Sequence, residues 1–588
     1  MANDALHGST DVSCADSGSV KKAYPSTDET RHLESSPNEK AAADHTPTLT
    51  HPEEQKDPQQ ETPPEATGEE GAVQDETEYP KKWRLAFITI ALFLAVFCMA
   101  LDNTIIATAI PRITDQFHTI GDVGWYGSSY LLSTCCLQLV YGKWYTFYSI
   151  KWVFLVALFI FEVGSFVCGI TPNSTGLILG RTVAGMGAAG VFSGAMLIIS
   201  RTVPLHQRPA YLGLIGGVYG IASVAGPLMG GAFTDHLTWR WCFYINLPFG
   251  AVTATFIIFF FHLPKGEKRT PALKFREQLQ LMDLEGTVLF IPGIVCLLLA
   301  LQWGGTTYAW DSGRVIALFV VSGILLIGFL VVQVWKQERA TVPPRIFKNR
   351  NIWGCAMYIG FLGASFLVMT YYLPIWFQAI KGVSSVRSSI MNLPMILGLV
   401  VISMVAGSLV TVFGYYAPFM ILSAVLTSIG AGLITTFKVD TDQPEWIGYQ
   451  FILGAGLGLG LQQVMVAVQT CLEGADAAIG TAIMMFTQTL GGALFISVAQ
   501  NVFQNQLISN IEGANIQGLN PDAVLAIGAT ELDSIVDKGA MPAVLTAYND
   551  AIITTFYIST ATACISFVAA ICIEWKSVKG KKVEAVPA

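Results

Sequence analysis

Three ionisable side chains stand inside apolar runs of the sequence: Asp102 in LDNTIIATAIP, Glu162 in FIFEVGS and Arg181 in LILGRTVAGMGAAG. A charge at the centre of a bilayer-length run costs about 3 kcal/mol on insertion scales, so each needs a partner or a wet cavity. A carboxyl whose burial and neighbours can shift its protonation is suited to loading and releasing protons, which makes Asp102 the first candidate. The plainer reading of Asp102 is a carboxylate at the outer end of its helix, just before Pro111 and Arg112. The guanidinium of Arg181 stays charged, so it can pair with a carboxylate, orient a substrate or hold helices together. Glu162 shows no partner in the sequence and is left unassigned.

Uncharged polar residues in the same kind of surroundings are Gln138, Tyr371, Tyr372, Gln462, Gln463, Gln469 and Gln488. Amides and phenols in apolar walls suit amphipathic ligands. Each can equally serve as a hydrogen bond between helices. The sequence holds no G-x-x-x-x-G-K-[ST] phosphate loop and no Ser/His/Asp, metal or haem constellation. The chain is therefore expected to be no enzyme, to use no cofactor and no nucleic acid, and to have a small molecule and the lipid bilayer as partners.

The elements that must position these residues are membrane spans. Of 588 residues, 52% are hydrophobic and 13% charged, and the apolar residues fall into runs of about 20, the length that crosses a bilayer. Fourteen such runs are expected, near 85–108, 123–147, 152–170, 176–200, 211–232, 241–262, 284–303, 314–334, 352–378, 389–411, 416–437, 446–469, 478–503 and 550–573. They group as six, two and six. This predicts a bundle over 81–262, a linker with two extra spans over 263–350, and a second bundle over 351–575 with a loop at 504–549 and a tail at 576–588. Residues 1–80 carry 18 acidic and 5 basic side chains and few aromatics, a composition that does not bury enough apolar area to order itself. With the N-terminus inside, the inner flanks hold 21 Lys/Arg and the outer connectors 7, so both termini are expected to be cytoplasmic.

One span stands out, GLIGGVYGIASVAGPLMGG at 213–231. Gly213 and Gly217, Gly216 and Gly220, and Gly226 and Gly230 are spaced i, i+4, which lets another helix approach closely. Pro227 cannot donate to the carbonyl of Ser223 and allows bending there. The alternatives are tight packing alone, or a helix that flexes while two bundles move. The 11 cysteines read as small hydrophobes rather than a disulfide framework. The sequon Asn173-Ser174-Thr175 is a glycosylation candidate in a very short outer loop.

With these stretches the chain resembles the major facilitator superfamily, and within it the fourteen-span drug:proton antiporters, most of all the fungal toxin and multidrug efflux pumps. LDNTIIATAIP is similar to the first-span signature of that group. Arg181 to Ala189 resembles its fourth-span motif, associated with proton coupling. Gly226-Pro227-x-x-Gly230-Gly231, with Gly217 on the same span, resembles the fifth-span antiporter motif. LQWGGTTYAW (301–310), YYLPIWFQAIKGVSS (371–385) and FTQTLGGALF (486–495) resemble efflux members. The loop GKWYTFYSIK (142–151) departs from the family's G-x-x-x-D-R-x-G-R-K: Gly142 and Lys151 fit, while Thr146, Phe147, Ser149 and Ile150 replace Asp, Arg, Gly and Arg. The resemblance covers residues 81–575. It implies two six-helix bundles, a monomer, alternating access, and proton entry driving export of a hydrophobic or amphipathic compound. The plasma membrane is the expected location, with the vacuole or a vesicle as the alternative. An importer on the same fold and a transport-inactive receptor are the competing functions.

Overall fold

The structure is a computed structural model that describes residues 79–117, 122–262, 281–305, 307–514, 536 and 539–579. The acidic tail and most of the 263–283 connector lie outside these residues.

Fourteen long helices follow one another: α1 (Lys82–Phe117), α2 (Val123–Phe147), α3 (Ile150–Ile170), α4 (Ser174–Thr202), α5 (Arg208–His236) and α6 (Trp241–Phe260). Then come α7 (Leu284–Trp303), α8 (Gly313–Lys336), α9 (Arg350–Lys381), α10 (Leu393–Phe413) and α11 (Ala417–Ile434). The last three are α12 (Gln443–Cys471), α13 (Gly474–Gly513) and α14 (Met541–Ile571). Thirteen of them are long and apolar enough to cross a membrane. The exception, α2, turns Ser129, Ser133, Gln138 and Lys143 inward and packs between α4 and α13, so its polarity is sheltered by protein. The fold is all-α and integral to the membrane, with two six-helix bundles and two further helices inserted between them.

The two bundles are packed alike. In the first, α1 packs on α5 and α6, α4 on α2 and α3, and α3 on α6. In the second, α9 packs on α13 and α14, α12 on α10 and α11, and α11 on α14. Advancing each label by eight converts one set into the other. The principal contacts between the bundles obey the same rule, since α5 packs on α10 and α13 on α2. α7 and α8 pack on each other, and α7 also touches α2 and α13.

Because successive helices reverse direction, the start of α1, the turns after α2 and α4 and the stretch 337–349 share one end of the molecule, called here the basic end. The bundles meet closely there. Ser403 Oγ on α10 donates to Gly213 O on α5 (3.2 Å), and a Cβ on Gly407 would overlap the carbonyl of Pro209. Thr146 Oγ1 donates to Ala475 O (3.4 Å) and Gln469 Nε2 to Met196 O (3.4 Å). Arg345, in the linker after α8, pairs with both Glu338 (3.0 Å) and Asp476 (2.9 Å).

Several helices outrun the expected spans. α1 continues to Phe117 rather than ending near 108, and α13 runs from Gly474 to Gly513. The loop expected at 504–549 is therefore largely helical at its margins, because Asn505, Gln506 and Asn510 bond within or between helices instead of to water. Pro227 does not interrupt α5. The glycines of α5 serve two neighbours: Gly213, Gly217 and Gly220 face α10, while Gly226 and Gly230 face Thr104 and Thr108 of α1. Gly231 faces Val386, just before α10.

Candidate functional site

Asp102 and Arg181 come together in the interior of the first bundle, both with no exposed surface. α4 approaches closely enough for this because it is lined with glycine and alanine; a Cβ on Gly185 would overlap Ser133 and the Tyr130 carbonyl of α2. Arg181 Nη1 meets Asp102 Oδ2 at 2.5 Å, and Arg181 Nε donates to Tyr126 O at 2.8 Å. The guanidinium lies 4.4 Å from the centre of the Tyr130 ring. The second carboxylate oxygen of Asp102 accepts from Asn246 Nδ2 (3.1 Å), which also reaches Ser165 Oγ (3.2 Å).

Four helices thus hold the centre: Asp102 on α1, Arg181 on α4, Asn246 on α6 and Ser165 on α3. The reading of Asp102 as a helix-end carboxylate is overturned, because α1 runs on to Phe117 and the side chain is fully enclosed. The pair is only partly satisfied. Arg181 Nη2 and Asn246 Oδ1 are buried without hydrogen-bond partners. A buried ion pair is stable only while its geometry is kept, and removing one member leaves an uncompensated charge. The structure shows this centre in its paired arrangement, with Arg181 and Asn246 holding the two carboxylate oxygens of Asp102.

Asn246 and Ser165 were not singled out from sequence. Asn246 could have been found as a lone amide inside an apolar helix, whereas a single serine in a span carries no signal.

The uncharged candidates are not gathered in one place. Gln138 is taken up by packing, donating to Ser193 Oγ (2.5 Å) and Ala189 O (3.3 Å) across α2 and α4. It is corrected from cavity candidate to helix–helix bond. Tyr372 is buried with its ring against Tyr371 and Phe503, whereas Tyr371 is 51% exposed. Gln462 and Gln463 stand where α12 is interrupted between Gly460 and Gln463. Both amide atoms of Gln463 are buried without partners, and Gln462 fills the space beside Gly216 of α5, across the junction of the bundles. Gln488 packs against Gly363 of α9. Asn173 caps α4, accepting from Gly176 N at 2.8 Å. The ten cysteines among the described residues form no disulfide with one another.

Comparison with known proteins agrees with this architecture. A profile of the Major Facilitator Superfamily matches residues 92–496, and the chain belongs to that family of membrane transporters. It is 57% identical to the "MFS-type efflux pump MFS1" of Arthroderma benhamiae over 86% of this chain and 94% of that one. It is 51% identical to the "Efflux pump aflT" of Aspergillus parasiticus over 84% and 96%. It is 55% identical to the "MFS-type transporter astH" of Aspergillus oryzae over 86% and 89%. Among solved structures, a double-tryptophan variant of XylE superposes with a TM-score of 0.54 at 12% identity, covering 85% of this chain and 98% of that one, a likeness of fold.

Proposed function

We propose that the protein is a proton-coupled exporter of small hydrophobic or amphipathic compounds, of the kind fungi make as secondary metabolites or meet as drugs. The export direction rests on relatives named efflux pumps and on the likeness of Gly226–Gly231 to the antiporter motif. The coupling rests on one observation above all: a fully buried carboxylate held by one arginine and one amide, with an unused donor on Arg181 beside it.

The excess of Lys and Arg at the basic end supports a cytoplasmic side for that end and for both termini, and the plasma membrane is the expected site. In the conformation described, the bundles are latched at that end. A proton arriving from outside neutralises Asp102 and frees Arg181. The first bundle then repacks and the cytoplasmic end opens to substrate. Loss of the proton to the cytoplasm restores the pair as substrate leaves outward. The proton gradient is the energy source, no cofactor takes part, and the working unit is a monomer. Gln462, Gln463, Gln488 and Tyr371 are the candidates for substrate contact.

The test is uptake of a panel of hydrophobic dyes into inside-out vesicles, with and without an acid interior, for wild type and Asp102→Asn. Gradient-dependent accumulation that the variant lacks is expected. Accumulation that ignores the gradient, or persists in Asp102→Asn, would overturn the proton role.

A further inference from the structure

Glu162 is an ionisable group with both carboxyl oxygens buried that this scheme leaves unused. Both of its carboxyl oxygens are enclosed and neither has a hydrogen-bond partner. It sits on α3 against α6 at Gly250, where any Cβ would overlap the carboxyl group. The surroundings form two layers. Asp102, Ser165 and Asn246 make one, joined by hydrogen bonds. Cys98, Glu162 and Gly250 make the other, each three or four residues from its counterpart on α1, α3 or α6. α1 and α3 run away from the basic end and α6 runs toward it, so all three steps point the same way. Glu162 therefore lies about one helical turn, roughly 5 Å, nearer the basic end than Asp102.

The groups facing it are few. α1 offers Cys98 and Asp102, both of which interact electrostatically with Glu162. α6 brings Asn246 and Gly250, neither ionisable, and Arg181 on α4 is engaged by Asp102. An ionised carboxylate enclosed without a donor is among the costliest arrangements in a protein interior. In the conformation described it therefore carries its proton.

We infer that Glu162 is a second proton-binding site in series with Asp102, on the cytoplasmic side of it. The inference rests on the exporter reading for its direction. In the transfer, the O–H bond on the Asp102 carboxyl breaks and an O–H bond on Glu162 forms, directly or through a hydroxyl such as that of Ser165, with no change in electron count. Asp102 is left ionised to re-pair with Arg181, and Glu162 holds the proton until it passes to cytoplasmic water.

The test is infrared difference spectroscopy of full-length protein in liposomes, which needs no substrate. At neutral pH a carbonyl stretch from a protonated carboxylic acid is expected in wild type, lost in Glu162→Gln, shifted but kept in Glu162→Asp, and retained in Asp102→Asn. A band unchanged in Glu162→Gln overturns the inference. In the same liposomes, using rhodamine 6G as probe, Glu162→Gln is expected to lose gradient-driven accumulation while passing the dye down its own concentration gradient. Gradient-driven accumulation equal to wild type would overturn the series role. If Asp102→Asn transports with full gradient dependence while the Glu162 band behaves as expected, the coupling reading fails and the proton site on Glu162 stands.

Discussion

The two bundles share a packing plan but not a chemistry. Where α1 meets α6 the first bundle places Asp102 and Asn246, tied to Arg181 on α4. At the corresponding seam of the second, α9 meets α14 through Ser365 and Ser559, hydroxyl to hydroxyl at 2.8 Å. A turn or more away, Trp376 Nε1 donates to Asn549 Oδ1 (2.8 Å) and Tyr358 OH to Ser423 Oγ (2.9 Å). Among the described residues, the buried charges of the two bundles, Asp102, Arg181 and Lys143, all belong to the first. The same helix plan thus holds an ion pair on one side and neutral hydrogen bonds on the other. If the proposed coupling holds, only the first of these can be parted by a proton.

The sharpest way to break this contrast is Arg181→Met. It strands a buried carboxylate, for which about 3–5 kcal/mol of destabilisation is expected. Thermal unfolding of the detergent-solubilised protein reads it. Adding Asp102→Asn should return most of that stability, because a well-packed neutral pair is close to neutral in energy, without returning gradient-driven transport. If the single variant is as stable as wild type, the pair is not a structural commitment of the first bundle.

Helix contact gives the next effect. Gly226 on α5 faces Thr104 Oγ1 and Cβ and, at 3.0 Å, the Ile105 backbone of α1, while Gly491 on α13 faces the Gly360 backbone of α9, its carbonyl oxygen at 2.3 Å. Part of the first contact can yield by rotation of Thr104 Oγ1, and a backbone cannot. Gly491→Ala should cost about 1–3 kcal/mol by overpacking, and Gly226→Ala less, in the same unfolding assay. Equal costs would mean that the halves differ less in rigidity than in charge.

Smaller still is Ser365→Ala, expected to cost about 1 kcal/mol for a lost hydrogen bond. It should leave the pH dependence of transport where it was. A shifted pH profile would show that the neutral seam takes part in coupling.

The smallest effect concerns the second bundle's acidic contact at its surface. Glu574, held by Lys576 and by Asn351 Nδ2 (3.0 Å), has its carboxyl kept below the usual glutamate range by those two donors, Lys576 foremost. A lowered folded-state value means the stabilisation is present above the ordinary glutamate range and is lost as pH falls through the lowered one. Wild type should exceed Glu574→Gln in thermal midpoint at neutral pH, and the gap should close on acidification. A gap independent of pH would assign the effect to packing.

Much of this was legible in the sequence, for reasons that mark its limits. Asp102 and Arg181 announce themselves because a charge in an apolar run is expensive, and no other fact is needed to suspect them. Asn246 and Ser165, which hold the other side of the carboxylate, are cheap residues that occur in any span. Gln138 and Tyr372 looked like candidates for a cavity, but which way a polar side chain faces depends on helix rotation, which hydropathy does not fix. Gln138 met Ser193 and Ala189 across α4. Span ends missed most widely where helices outrun their apolar cores, as α1 and α13 do. Helices continue past the hydrocarbon wherever polar side chains find helical partners, and Asn505 and Gln506 do so.

The charged centre never crosses the seam between the bundles. Asp102, Arg181, Asn246 and Ser165 all lie within α1–α6, whereas the bundles meet along α5–α10 and α2–α13. Under the proposed cycle, fuel sensing and gate hardware are therefore insulated from one another. Arg345 and Asp476 pair from the linker beside the loop 142–151, and neither feature touches the charged centre.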